Sequence, residues 1–499
     1  MIKQASKQPE FEFVYIDQLV PEDHLVRKID EHIRFDFIRE KVAHLYCHTN
    51  GRPGVDPVVL FKMLFIGYLF GIRSERQLVK DIYTNVAYRW FLGYKLTDKI
   101  PHHSTISKNR TRRFADSTIC QEIFDEIVIQ AIEHGLISAE AFYSDSTHLQ
   151  ANANKNKYDK KAVEKSTRDY IDDLNRDVTE DREAHGKKPL KEREEVPEVK
   201  EIKVSTTDPD SGYMVRDGKP KGFFYLDHRT VDGQFNIIID TYVTPGNVHD
   251  SIPYLSRLDR ICSRFELFPR AVGLDAGYFT APLCRGLVER DIFGVISYRR
   301  PNHIKGMFRK REFTYNTQED TYSCPLGETL NYRTTGREGY RMYASEGSKC
   351  IHCPALKQCT RSQNHTKVVT RHVWEEYKEQ ITANRLSDEG KLIYKKRKET
   401  VERSFANAKQ LHGHRYARLR GQKKVTEQCL LAAACQNMKK IALLLSRRGK
   451  GGGNSDWYRL KTLKTVCLEL YKAIFSYAWL TSEKTGSIPF QSDFYLTTA

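Results

Sequence analysis

AFYSDSTHL, residues 141–149, is an apolar and aromatic run that gives way to small polar residues around one acid, Asp145. That is the pattern of a short strand with a carboxylate near its end. Two further runs rich in aromatic and β-branched residues follow, GFFYLDHRTVD (222–232) and FNIIIDTYVTPGN (235–247). HDSIPYLSRLDRIC (249–262) changes to helical spacing, AVGLDAGYF (271–279) reads as a fourth strand, APLCRGLVERD (281–291) as a second helix and FGVISYR (293–299) as a fifth strand. A Cys-containing insert comes next, then one long basic helical stretch from about 388 to 447.

The predicted order, β-β-β-α-β-α-β-insert-α, is that of a mixed α/β, ribonuclease H-like core. In that layout the first and fourth strands are neighbours. Asp145 and Asp275, the acid of AVGLDAGYF, would therefore meet at one sheet edge, with Glu402 on the basic helix as the third acid. Carboxylates gathered in this way suit hard divalent cations, Mg²⁺ or Mn²⁺. Two such ions about 4 Å apart can activate a hydroxyl and stabilise a leaving oxygen in phosphoryl transfer. Asp240 on the third strand is the rival to Asp275, but its flank TYVTPGN lacks the small residues that open DAGY. His148, His228 and His249 read as hydrogen-bonded structural residues, and Asp250 as a helix cap.

Working outward, the first 135 residues read as helices. Asp56 and Pro57 start one, Ser74 with Gln77 another, and Ser117 a third that Gly135 closes. Between them PHHSTISKNRTRRF (101–114) places a helix start beside Lys108, Arg110, Arg112 and Arg113, a pattern suited to phosphates. The chain carries a net charge of +17, and residues 391–450 alone hold 17 Lys/Arg against three acids. This points to a polyanionic partner. Residues 151–200 carry 13 basic and 13 acidic side chains, and read as a solvated arm without a core of its own.

Four of eleven cysteines, Cys324, Cys350, Cys353 and Cys359, cluster in the insert, which looks too short and polar to fold on a hydrophobic core alone. Soft thiolates at this spacing fit a structural zinc ion. The other seven are scattered, as expected of reduced thiols in a cytoplasm. No signal-peptide core opens the chain, and the longest apolar stretch, 58–72, is 15 residues with Lys62 inside it, so no membrane partner is expected. The expected domains are a helical DNA-binding domain (1–135), the first part of the catalytic core (136–300, with the charged arm 151–205), a zinc insert (301–364), the second part of the core (365–447), and a Gly linker with a tail helix (448–499).

YSDSTHLQANANK (143–155), GLDAGYF (273–279) and KRKETVERSFANAKQLHGHRYARLRG (396–421) resemble the three catalytic blocks of the DDE transposases of bacterial insertion sequences. GRPGVDPVVLFKMLF (51–65), RWFLGY (89–94) and PHHSTISKNR (101–110) extend the resemblance toward the N-terminus. It implies Asp145, Asp275 and Glu402 as the metal-binding triad, with cleavage at element ends and strand transfer into target DNA. In related elements a Tyr, an Arg and a Lys flank the Glu. Lys409 keeps the Lys spacing, whereas the Arg position holds Lys398 with Arg397 beside it, and Tyr394 stands one place early. Arg397, Lys398, Arg403, Arg415, Arg418 and Arg420 are the further DNA contacts expected, and a homodimer or larger assembly on DNA in a bacterial cytoplasm is implied. The competing readings are a non-catalytic DNA-binding protein and a metal-dependent nuclease that cuts without joining.

Overall fold

The computed structural model describes residues 13–47, 54–164, 170–191, 199–215, 218, 220–299 and 304–450; the expected tail helix lies outside them. Strand β1 (Ala141–Gln150) leads into an excursion made of β2 (Tyr158–Glu164), a helix (Ile171–Ala184), β3 (Val199–Ser205) and the short β4 (Gly212–Met214). The chain returns as β5 (Gly222–Asp232) and β6 (Ile238–Pro245). A helix (Tyr254–Phe265), β7 (Ala271–Leu274), a second helix (Ala281–Glu289) and β8 (Phe293–Ile296) complete the expected order.

The central sheet is mixed. β5 pairs antiparallel with β1, and also with β6 and β4, while β1–β7 and β7–β8 are parallel. The register places Tyr143 opposite Gly273. A Cβ on Gly273 would lie 2.7 Å from the Tyr143 ring, so only glycine lets these two strands approach as they do.

The N-terminal helices share one buried cluster with this sheet. It runs from Val26 through Phe61, Ile127, Phe142 and Val272 to Ile441. At its centre lies the helix Gln422–Lys450, packed on β6 and on the helices Leu25–His32, Pro57–Leu69 and Ile119–Glu133. That helix is long and apolar enough to cross a membrane by length and composition, yet 67% of its most apolar window is buried inside the protein. Each fully buried Leu, Ile or Met here contributes about 1.5–3 kcal/mol, which explains its composition without a bilayer.

Helix starts follow the sequence at two of three sites. Asp56 accepts from the Val58 amide at 2.9 Å and Ser74 from the Gln77 amide at 3.4 Å. Ser117 does not cap the third helix; its hydroxyl donates to the Phe114 carbonyl, and the helix begins after Thr118.

The basic stretch is not one helix. It comprises Asp388–Lys396, a 3₁₀ turn Arg397–Glu399, the helix Val401–Leu411, and the long helix from Gln422. The first break falls at Thr400 (φ −107°, ψ −97°), which is 1% exposed and whose hydroxyl donates back to the Lys396 and Arg397 carbonyls. At the second, His412 bonds the Tyr68 carbonyl (2.9 Å) and His414 the Asp227 carboxylate (2.8 Å). Gly413 between them has φ +64°, where a side chain would be strained.

The insert overturns one expectation, because it has its own core. Strands β9 (Thr314–Asn316), β10 (Thr321–Ser323), β11 (Thr329–Thr335), β12 (Tyr340–Ala344) and β13 (Val368–His372) form a five-stranded sheet over Phe313, Tyr322, Leu330, Tyr343 and Val369. The last strand runs past the expected boundary at 364. The charged arm is likewise not simply solvated. Its helix Ile171–Ala184 packs Leu174 and Val178 on Trp374, and its buried Asp181 accepts from Thr335 (2.5 Å) and Arg341 (2.6 Å) of the insert.

Candidate active site

Asp145 and Asp275 each lie two residues beyond the paired Tyr143 and Gly273, so the parallel register brings them level at one edge of the sheet. The backbone fixes both carboxylates. The Ser146 amide donates to Asp145 Oδ1 (2.8 Å) and the Gly277 amide to Asp275 Oδ1 (2.7 Å). A Cβ on Gly277 would sit 3.0 Å from Asp275 Oδ1 and 3.8 Å from Asp250 Oδ2. The small residues of DAGY thus leave room for two carboxylates.

Asp250 is the acid that sequence reasoning misplaced. It caps no helix: the helix after it starts at Tyr254 behind Pro253, with no side-chain cap. Instead its Oδ1 accepts from the Ser146 hydroxyl (2.7 Å), and it lines one cleft together with Asp145, Asp275 and Lys409. Its neighbour His249 bonds Ser251 locally.

Glu402 reaches this group through Arg397. The guanidinium donates to Asp145 Oδ2 and, at 3.3 Å, to Glu402 Oε1. The Arg397 side chain is 7% exposed, that of Asp145 21% and that of Glu402 46%. Burial pushes the Asp145 carboxyl up to about 6; Arg397 and the Ser146 amide oppose the rise, and the charges of Asp275 and Asp250 add to it. Tyr278, buried beside them, is driven well above the usual phenol range by burial and by Asp250, Asp145 and Asp275. Asp240, the rival to Asp275, is spent elsewhere, on a two-pronged ion pair with Arg257 at 2.5 and 2.8 Å.

The expected DNA contacts divide. Lys108, Arg112 and Arg113 line an open basic cleft with Lys99, although Arg113 also covers the Tyr46 ring at 4.1 Å. Arg110 is held in an ion pair with Glu75, and Arg418 covers Tyr68 at 4.4 Å with Nε and Nη2 buried. Both are oriented by the core. Lys398, Arg403, Arg415 and Arg420 are exposed, and Arg420 also donates to the Asn152 carbonyl. Arg397 faces the acids, not solvent.

Cys324, Cys350 and Cys353 all lie near enough to raise the Cys359 thiol, after burial. The Leu326 and Glu328 amides point at Cys324 Sγ, at 3.4 and 3.3 Å. Among the described residues, the His, Cys and acid donors found in threes within 4.8 Å of one another are Asp227, His414 and Cys429; neither the four thiols nor Asp145, Asp250, Asp275 and Glu402 meet that closely. At that buried trio Arg229 already supplies the cation, with Nε 2.9 Å from Asp227 Oδ2, and the group reads as a buried ion pair. Burial would raise Asp227, but Arg229 and His414 hold it well below the usual range.

Two protein families match the chain: a transposase domain (DUF772) over residues 14–112 and a transposase DDE domain over 323–442. Both matches are to transposase domains and support a DDE transposase, an enzyme acting on DNA. Members of this group generally use divalent metal ions. Asp145, Asp250 and Asp275 lie between the two matched segments, whereas Glu402, Lys409 and the four clustered cysteines lie within the second. Among solved structures, a piggyBac transposase synaptic complex with hairpin DNA aligns at 12% identity over 87% of this chain and 81% of that one, with a TM-score of 0.24. No curated protein matches.

Proposed function

We propose that the protein is the transposase of a bacterial insertion sequence, working in the cytoplasm as a dimer or larger assembly on DNA. Its ribonuclease H-like core would use Asp145, Asp275 and Glu402 to hold Mg²⁺ or Mn²⁺, with Asp250 beside Asp145 and Asp275 in the cleft and Glu402 linked to it through Arg397. The observation that carries this reading is the level placement of Asp145 and Asp275 on neighbouring parallel strands, with Arg397 tying Asp145 to Glu402. The donor set is all oxygen, as hard cations prefer, and a guanidinium already supplies positive charge among these acids, so the residues fit such an ion.

When bound, a divalent ion would supply Lewis-acid activation of a water or 3′-hydroxyl and charge for the leaving oxygen. The chain does the rest. The Ser146 and Gly277 amides hold the carboxylates in fixed orientation, and Lys409 at the cleft offers a cation to the scissile phosphate. Lys108 and Arg112 of the N-terminal helical region (1–135), with Lys398, Arg403, Arg415 and Arg420, would fix the DNA backbone; such contacts position a duplex more than they read it. In the insert, two amides aimed at Cys324 Sγ suit a thiolate, and the four cysteines would have to draw closer together to hold a structural zinc.

The test is cleavage of DNA carrying the element's own ends by purified protein with and without Mg²⁺ or Mn²⁺. Asp145→Ala, Asp275→Ala and Glu402→Ala should each abolish cleavage while DNA binding persists. Near-normal cleavage by Asp275→Ala would refute the triad.

A further inference from the structure

We propose that Arg397 is the resident counter-cation of the acid cleft: it ties Asp145 to Glu402 while no divalent ion is bound, and yields these oxygens when one binds. The proposal rests on the reading of the cleft as a divalent-metal site.

An arginine on a basic segment of a DNA-binding enzyme would ordinarily reach into solvent, as Lys398 next to it does. Arg397 does the opposite. Its side chain is 7% exposed and its charge is balanced by carboxylates from two elements 252 and five residues away in sequence. A buried cation needs such balance, because the loss of hydration is otherwise uncompensated.

The partner oxygens are specific. Asp145 Oδ1 is taken by the Ser146 amide, and Arg397 occupies Oδ2, the oxygen which that amide leaves open. A divalent ion drawn to Asp145 must therefore compete with the guanidinium for the same atom. Arg397 is also incompletely satisfied: its Nε is buried without a partner. A fully paired guanidinium would resist displacement, whereas one with an idle buried donor loses less by leaving. The break at Thr400 supplies the mechanics. It seats Arg397 on a three-residue 3₁₀ turn while Glu402 begins a separate helix, so the two can part without unwinding a shared helix. In this role Arg397 is a positioning residue. It keeps a cluster of like charges assembled before the metal arrives, and sets the affinity with which the metal enters.

Two measurements on the full-length, DNA-free protein test this. The first is Mn²⁺ binding followed by electron paramagnetic resonance for wild type, Arg397→Met, Arg397→Lys and Asp145→Asn. An opposite charge beside a carboxylate shifts its pKa by about one to three units, and on the same scale Arg397→Met should bind Mn²⁺ at least about tenfold tighter. Arg397→Lys, which can reach one acid at a time, should fall between. The second needs no substitution. Phenylglyoxal labelling of Arg397, read by mass spectrometry, should be slow in metal-free protein and faster at saturating Mn²⁺. Unchanged or weaker Mn²⁺ binding in Arg397→Met, or an Arg397 that stays protected at saturation, overturns the proposal. Asp145→Asn separates the two levels. If it still binds Mn²⁺ normally, the metal-site reading itself fails; if it loses Mn²⁺ while Arg397→Met gains nothing, only the role of Arg397 fails.

Discussion

Metal binding at the cleft should release a proton, and the amount should depend on pH in a way set by Asp145. Its carboxyl is raised from 3.8 to about 6, first by burial and then by the charges of Asp275 and Asp250 against the opposing Arg397. Two pH units correspond to about 3 kcal/mol. A folded-state value above the unfolded one gives stability that is fully present below about pH 4 and lost as pH rises to about 6. At neutral pH the metal-free fold therefore carries an ionised carboxylate at a cost of about 3 kcal/mol, which a divalent ion relieves. Below pH 6 the ion must displace a proton, so its affinity should fall about tenfold per pH unit, and above pH 7 it should level off. Titration calorimetry with Mn²⁺, run at each pH in two buffers of different ionisation enthalpy, measures this directly. About 0.9 proton should be released per site at pH 5 and almost none at pH 8. Asp145→Asn should abolish both binding and release. An affinity independent of pH between 5 and 7, or release persisting at pH 8, would refute the reasoning.

Asp250→Asn should lower metal affinity and end cleavage about 10–100-fold, the usual effect of losing a group that orients ligands, with Ser146→Ala milder; unchanged affinity in Asp250→Asn would return this acid to a purely structural role. Arg229→Met leaves the fully buried Asp227 without its cation, and should destabilise the fold by about 3–5 kcal/mol in urea unfolding; a loss under about 1 kcal/mol would mean the pair is not needed. Cys350→Ser with Cys353→Ser should release zinc on elemental analysis, yet leave β9–β13 resistant to limited proteolysis, because Phe313, Tyr322, Leu330, Tyr343 and Val369 form a core without metal. Proteolysis spread through those strands would show that the aromatic core is insufficient.

What could be read from the sequence was what local pattern encodes. Runs of aromatic and β-branched residues carrying D-S-T or followed by D-A-G-Y announced the order of the strands and helices, although β1 continues to Gln150 and holds Asp145 in its middle. What stayed hidden depends on partners far away in the chain. Asp181 looked like one charge in a balanced mixture, yet its place is decided by Thr335 and Arg341, more than 150 residues on. The aromatic core of the insert is assembled from strands of three to seven residues, too short for any one to show its period. Thr400 breaks a helix with neither Pro nor Gly to announce it, so the segment reads as continuous. Asp250 follows a turn and precedes a helix, the usual setting of a cap; only the fold, which brings it beside β1, supplies Ser146 as a different partner.

These differences bear on how the site is held. Asp145 and Asp275 are fixed by strand register and backbone amides, and a one-residue slip of β1 would turn Asp145 to the opposite face of the sheet. The helix Val401–Leu411 is held differently at its two ends. Past its C-terminus His412 and His414 bond the Tyr68 carbonyl and Asp227, tying it both to an N-terminal helix and to β5. Its N-terminus follows the Thr400 break, and Glu402 is the second residue after that break. Glu402 is therefore the acid farthest from the anchored end, more than twice as exposed as Asp145 and joined to it only through a side chain. Two rigid acids and one adjustable acid can accept an ion with little backbone motion in the sheet. The adjustment falls on the first turn of one helix, where Arg397 and Glu402 part.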